Sequence, residues 1–191
     1  VVAGGCGWGE EPCQISNPTG IFVDPRGAVY VAEYWNHRVT RWAPGAVAGE
    51  VVAGGQGAGS GLGQLRHPDG VFVDPSGSVY VADYGNHRVT RWRRGSDVGE
   101  VVAGTGGKGA EARELAGPTG LFVDDAGSLY VSEHLNHRVS RWAPGAIEGE
   151  VVAGGLGQGN SLAHLKYPRS IFVDEEGAVY VAEEIAHRVT R

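Results

Sequence analysis

The chain has 191 residues and a formal net charge of −6, with 41% hydrophobic and 20% charged residues. This composition excludes a disordered chain, and the short apolar runs predict no membrane insertion. The negative charge argues against a phosphate-binding surface, so we expect no nucleic acid partner. Thirty-three glycines and nine prolines at regular intervals indicate turns rather than helices.

The chain opens on Val-Val-Ala-Gly at residues 1–4, and this sequence returns with a period of 50 residues. The heptapeptide Asn-His-Arg-Val-Thr-Arg-Trp of residues 36–42 recurs with the same period, and its last copy begins with Ala186. A fixed period of this length is typical of stacked supersecondary units. Because the sequence contains no methionine and opens in mid-strand, we expect it to be a piece of a longer protein.

Each repeat predicts four short strands, a to d. In the first repeat, strand a covers 20–24, a type I turn follows at Asp24, strand b covers 28–33 and strand c covers 37–42. Strands a to c of the four repeats are predicted within 20–42, 70–92, 120–142 and 170–191. The outer strands d are predicted at 1–4, 50–54, 100–104 and 150–154.

Four antiparallel strands in each of four successive repeats predict an all-β protein, a β-propeller with residues 1–191 as one domain. The last repeat lacks a strand d, and residues 1–4 have the sequence of one. We expect this N-terminal strand to complete the last blade, because the pairing removes two exposed edges. Closure with four blades in one chain, with eight in a homodimer formed by strand exchange, or within a larger propeller all remain open.

The Asn-His-Arg-Val-x-Arg-Trp motif follows Tyr-Val-Ala-Glu/Asp and, further upstream, Pro-x-Gly-φ-Phe-Val-Asp. This combination resembles the NHL repeat over the whole chain. The resemblance implies a propeller, usually of six blades, and functions that are mostly protein recognition. Some members bind RNA on a basic face, and a minority are lyases that use metal-bound histidines.

Residues that recur in every repeat are expected to build the blades. We expect the imidazole of the repeated histidine to hold a neighbouring turn, the repeated acid and arginine to pair, and the first aspartate to form its turn. The tryptophans and tyrosines are expected to pack between blades. The histidines are His37, His87, His137 and His187, the acids are Glu33, Asp83, Glu133 and Glu183, and the arginines are Arg38, Arg88, Arg138 and Arg188.

Residues that differ between repeats are the candidates for function. The d–a and b–c loops are expected on one face, where loops on a rigid scaffold commonly carry binding residues. Tyrosine, tryptophan and arginine are also typical of interface hot spots. The predicted partner-binding residues are Tyr34, Trp35, His67, Asp69, Tyr84, His134, Leu135 and Arg169.

These residues favour a non-enzymatic binding scaffold for a protein or peptide, without a cofactor or a metal. One alternative is a metal-dependent lyase or hydrolase at the channel mouth, with His67, His134 and His164 as conceivable ligands. Another is a structural subunit of a larger assembly, in which the blades only bridge partners.

Cys6 and Cys13 are the only cysteines, and both lie in the first d–a loop. Their joint occurrence suggests a disulfide or half of a metal site, and two independent thiols are the alternative. A disulfide would favour an oxidising compartment, either secreted or an organelle lumen.

Overall fold

The computed structural model describes residues 1–105, 107–161 and 163–191. Over these residues the regular structure consists of short strands and one turn of 3₁₀ helix at Tyr84–Asn86. The first two repeats contain β1 (Pro18–Val23), β2 (Val29–Glu33), β3 (Arg38–Trp42), β4 (Glu50–Gly54), β5 (Pro68–Val73), β6 (Val79–Asp83), β7 (Arg88–Trp92) and β8 (Glu100–Ala103). The last two contain β9 (Pro118–Val123), β10 (Leu129–Glu133), β11 (Arg138–Trp142), β12 (Glu150–Gly154), β13 (Pro168–Val173), β14 (Val179–Glu183) and β15 (Arg188–Thr190).

The strands form antiparallel sheets in chain order, β1-β2-β3-β4, β5-β6-β7-β8, β9-β10-β11-β12 and β13-β14-β15. These are the blades of a β-propeller fold, as the sequence predicted. Each a–b connection is the expected aspartate turn: Asp24 Oδ1 accepts the backbone N–H groups of Arg26 and Ala28, both at 2.9 Å. The same bond from the residue four positions on recurs at Asp74, Asp124 and Asp174.

The fourth sheet corrects one expectation. Residues 1–4 form no strand, and among the described residues the fourth sheet contains three strands. Val1, Val2 and Gly4 instead line a groove beside Trp42. A segment gains from an extended conformation where its N–H and C=O groups pair with a strand edge, and in the described residues no sheet includes residues 1–4.

The chain divides into two compact units. The first unit is Val1–Asn86 with Thr90–Glu100, and the second is His87–Val89 with Val101–Arg191. The core of the first unit includes Val39, Leu65, Val81 and Trp92, and that of the second includes Val139, Leu165 and Val181. None of the helical structure in the described residues is long and apolar enough to cross a membrane.

Candidate functional site

In the first blade a buried carboxylate joins the d–a loop to the b–c loop. Glu33 is fully buried, and its carboxylate accepts hydrogen bonds from Asn36 Nδ2 at 2.5 Å, Arg38 Nε at 3.1 Å and Thr40 Oγ1 at 2.6 Å. Asn36 Nδ2 also donates to the Gly9 carbonyl, and Arg38 Nη1 donates to the Glu10 carbonyl. The expected acid–arginine pair is therefore confirmed, and it also fixes the loop above it. We call Glu33, Asn36, Arg38 and their counterparts the loop frame.

The loop frame recurs in the second unit. Arg138 Nε donates to Glu133 at 2.7 Å, and its Nη1 donates to the Ala110 carbonyl. Arg188 Nε donates to Glu183 at 2.6 Å and its Nη1 to the Asn160 carbonyl. Equivalent d–a loops are therefore held by equivalent hydrogen bonds, although their exposed residues differ.

The repeated histidines connect each blade to the loop that leads into the next one. His37 Nδ1 accepts the backbone N–H of His67 at 3.1 Å, and His87 and His137 accept those of Gly117 and Tyr167 in the same way. The predicted role of the imidazole in holding a neighbouring turn is confirmed at these three positions. The sequence placed His37 at the start of strand c, but its φ of 52° puts it before β3, in the left-handed region.

The same hydrogen bond limits metal binding by the repeated histidines. An Nδ1 atom that accepts a backbone N–H has no lone pair left for a metal ion. Burial lowers the pKa of His37 and of His137, so both rings stay neutral over a wider pH range. No group of three or more His, Cys, Asp or Glu in the described residues could hold a metal ion.

Four of the predicted site residues form a ring cluster in the first unit. The His67 ring stacks on Tyr34 at a centroid distance of 4.5 Å and meets the edge of Trp35 at 5.1 Å and His37 at 4.7 Å. Tyr84 lies 6.4 Å from Tyr34. We call these five residues the Tyr34 cluster, and it unites side chains from three separate loops.

In the Tyr34 cluster His67 is held by a hydrogen bond, and Trp35 is exposed to solvent. The Nδ1 atom of His67 lies 3.3 Å from the Tyr34 carbonyl oxygen, so it donates to that oxygen and leaves Nε2 outside this contact. Trp35 retains 54% of its exposure, although its ring touches both Tyr34 and His67. The cluster therefore presents an exposed indole on a fixed aromatic base.

Asp69 contacts a neighbouring strand through its backbone. Its carbonyl oxygen accepts a hydrogen bond from Thr19 Oγ1 at 2.9 Å, and Thr119 makes the equivalent bond to the Arg169 carbonyl. These two bonds link neighbouring first strands, β1 to β5 and β9 to β13.

The remaining predicted residues lie in the second unit. The Tyr167 ring lies 4.9 Å from His134 and 4.6 Å from His137, and we call these three residues the Tyr167 cluster. Arg169 Nε lies 2.9 Å from a Glu184 carboxylate oxygen. Leu135 is half-buried, and its backbone N–H donates to the Ala116 carbonyl.

Three members of the two ring clusters were not among the predicted partner-binding residues: Tyr167, His37 and His137. Tyr167 occupies the repeat position of His67, and both have a positive φ, 51° and 52°. The period of 50 residues was the signal that could have identified Tyr167. His37 and His137 were predicted to build the blades rather than to bind a partner, because they recur in every repeat.

The two cysteines lie in the first d–a loop, where the structure pairs Cys6 with Cys13 in a disulfide whose Cα atoms are 5.6 Å apart. The same loop is held by Asn36 through the Gly9 carbonyl. The first d–a loop therefore has a covalent crosslink in addition to the loop frame.

Comparison with known proteins supports the fold. The sequence model of the NHL repeat matches residues 16–42 and 65–92, and no curated protein matches the chain. An auxiliary nutrient binding protein from Bacteroides thetaiotaomicron matches with a TM-score of 0.67 at 17% identity, over 89% of this chain and 46% of its own. A nidogen/laminin complex matches with a TM-score of 0.67 at 17% identity, over 91% and 59%.

A streptogramin B lyase matches with a TM-score of 0.60 at 13% identity, over 92% of this chain and 51% of its own. The chain thus spans about half the length of the first of these structures, and at such identities the likeness concerns the fold alone. The matched segments cover the first two repeats, and the other two repeat their sequence with the same strands. The chain therefore contains NHL repeats at these two positions, and its sheets form the blades of a β-propeller fold.

Proposed function

We propose that this chain is a non-enzymatic scaffold that binds a protein or peptide through the Tyr34 cluster. The observation that supports this most strongly is the contact between Tyr34, Trp35 and His67, which belong to two different loops of the first unit. Tryptophan and tyrosine rings supply large contact areas and are enriched at interface hot spots.

The backbone beneath the cluster is rigid, which favours binding further. The His67 N–H is held by His37, and the Tyr34 N–H donates to the Asn17 carbonyl. Side chains that are already ordered lose less conformational entropy on binding. A partner that covers the Trp35 indole would therefore gain apolar burial without having to order these loops.

The test is selection of peptides from a displayed library on the immobilised chain, followed by affinity measurement with variants. We expect Trp35→Ala to weaken the selected peptides by about 2 kcal/mol or more, the range of a hot spot. Trp8→Ala is the matched control, because Trp8 is also in the first unit and is 77% exposed.

Comparison of the two variants distinguishes binding at the Tyr34 cluster from non-specific binding to any exposed tryptophan. Retained binding by Trp35→Ala, or an equal loss with Trp8→Ala, would contradict the proposal. Thermal unfolding of both variants should match the parent, because neither indole belongs to the core.

A further inference from the structure

A second groove of the first unit lies at the opposite ends of its strands from the Tyr34 cluster. It has a volume of about 560 Å³ and runs between the a–b turns of the first two blades and the c–d turn of the second. Its lining includes four arginines, Arg26, Arg41, Arg93 and Arg94. No predicted site residue lies in this groove.

Three of these arginines do not belong to the repeat. Arg93-Arg94 stands where the first and third repeats have Ala43-Pro44 and Ala143-Pro144. Arg26 stands where the other repeats have Ser76, Ala126 and Glu176. Because the blades fold without these cations at the other positions, the fold does not explain their convergence on one groove.

The guanidinium groups are available to a ligand. Arg26 and Arg94 are exposed, and within the described part of the chain neither side chain has an ion-pair partner. Arg93 is 72% exposed, and its Nη2 atom lies as far as 3.8 Å from Glu100 Oε1. The Nη1 atom of Arg41 lies 3.6 Å from Glu50 Oε2. Exposed pairs of this length contribute little stability, so both arginines can turn toward another anion.

The carboxylates in the groove are partly engaged elsewhere. Asp24 Oδ1 accepts two backbone N–H groups of its own turn, and Asp74 Oδ1 accepts one N–H and the Ser76 hydroxyl. The lining also contains the carboxylates of Asp97 and of Glu50, which pairs with Arg41, so among the described residues the unpaired cations of the groove are Arg26 and Arg94. Bidentate guanidinium–carboxylate contacts suit such a surface.

We propose that this groove binds an acidic peptide segment, with Arg93, Arg94 and Arg26 receiving its carboxylates. Valines and prolines between the turns, including Pro25, Val51 and Pro75, offer apolar contact to the aliphatic part of the peptide. A single-stranded nucleic acid is disfavoured, because such ligands need exposed aromatic platforms. Tyr30, the aromatic residue of this groove, is only 6% exposed.

The test measures binding of a fluorescent oligoglutamate peptide by anisotropy, with oligoglutamine as the uncharged probe. The variant is Arg93→Ala with Arg94→Pro, which installs the dipeptide of the first and third repeats. It should fold, because the turn bond is the same: Ser96 N to Arg93 O and Ala46 N to Ala43 O both measure 2.9 Å. Arg26→Ser similarly installs the residue of the second repeat.

The matched control is Lys108→Ala with Arg113→Ala, which removes two exposed cations from the second unit. We expect oligoglutamate binding to fall by about tenfold or more in the Arg93/Arg94 variant, and less in Arg26→Ser, as expected for loss of charged contacts. The control should keep its affinity.

Three results would overturn the proposal. They are no oligoglutamate binding by the parent chain, an equal loss in the control variant, or tighter and competing binding of an oligouridylate probe. Equal binding of oligoglutamine would also contradict it, because the carboxylates would then play no part.

Discussion

The Tyr34 cluster and the Tyr167 cluster occupy equivalent places in the two units, yet they present different chemistry. In both, a repeated histidine accepts a backbone N–H from the residue before a first strand. The first cluster adds an exposed tryptophan and two tyrosines, whereas the second pairs a half-buried His134 with Tyr167 and places an Arg169–Glu184 ion pair nearby.

The difference shows that the loop frame fixes backbone position without prescribing the exposed side chains. Arg38 and Arg138 donate to equivalent loop carbonyls, those of Glu10 and Ala110, both at 2.7 Å. Substitutions in the frame should therefore affect stability, and substitutions in the clusters should affect recognition. Variants of the loop frame and then of the clusters test this separation of stability from recognition.

The largest effect is expected from Arg138→Ala. Glu133 is fully buried, so removing the arginine leaves a buried carboxylate without its partner and releases the Ala110 carbonyl. We expect a loss of about 3–5 kcal/mol in the free energy of unfolding, the range for breaking a buried pair. Urea titration of the variant against the parent measures it.

Arg113→Ala is the control for this change. Arg113 pairs with Glu148 at 2.9 Å on the surface, and the loss should be below about 1 kcal/mol. Similar losses in the two variants would show that the loop frame is not what stabilises the second unit.

A smaller effect is expected from removing the crosslink that only the first d–a loop carries. Cys6→Ser with Cys13→Ser opens a loop with a sequence separation of 7. Closing so short a loop stabilises a protein by about 2.5 kcal/mol in the chain-entropy account, so the variant should unfold at a lower temperature. An unchanged unfolding temperature would indicate that Arg38 and Asn36 hold the loop alone.

Two histidines of the Tyr167 cluster predict that stability responds to acid. Burial and then the Arg169 charge lower the pKa of His134, and burial lowers the pKa of His137. Glu184 acts in the opposite direction on His134. Because these folded-state pKa values lie below the ordinary histidine pKa of 6.5, the unfolded chain takes up protons first. The free energy of unfolding should therefore decrease as the pH falls through 6.5 toward the folded values.

His134→Tyr installs the residue of the first two repeats and removes one of these groups. We expect a shallower decline of stability below pH 6.5, measured by urea titration at a series of pH values. An unchanged slope would mean that His134 protonates equally in the folded and unfolded chain.

The sequence predicted the blades well, because a period of 50 residues displays each turn and strand four times. Asp24 and its counterparts, the Glu33–Arg38 pair and the role of His37 could all be inferred from recurrence. The contacts of His67 could not be inferred in this way. They depend on a left-handed backbone at residue 67, and the third repeat has a glycine, Gly117, with the same conformation at this position, so recurrence does not reveal the stacked ring. The groove of Arg93 and Arg94 was also not predicted, because the residues expected to bind a partner were all predicted in the d–a and b–c loops, at the other ends of the strands.

The smallest effect on stability is expected when the two clusters are made alike. Tyr34→His with His67→Tyr gives the first unit the ring pair of His134 and Tyr167, on a backbone whose φ already accepts a tyrosine at the equivalent position. Because the loop frame and the His37 bond are unchanged, the free energy of unfolding should change by less than about 1 kcal/mol. Peptides selected on the parent chain should nevertheless lose affinity, since the stacked imidazole beside Trp35 is gone. If the double variant unfolded readily, the exposed rings would be part of the fold, and the separation between frame and cluster would fail.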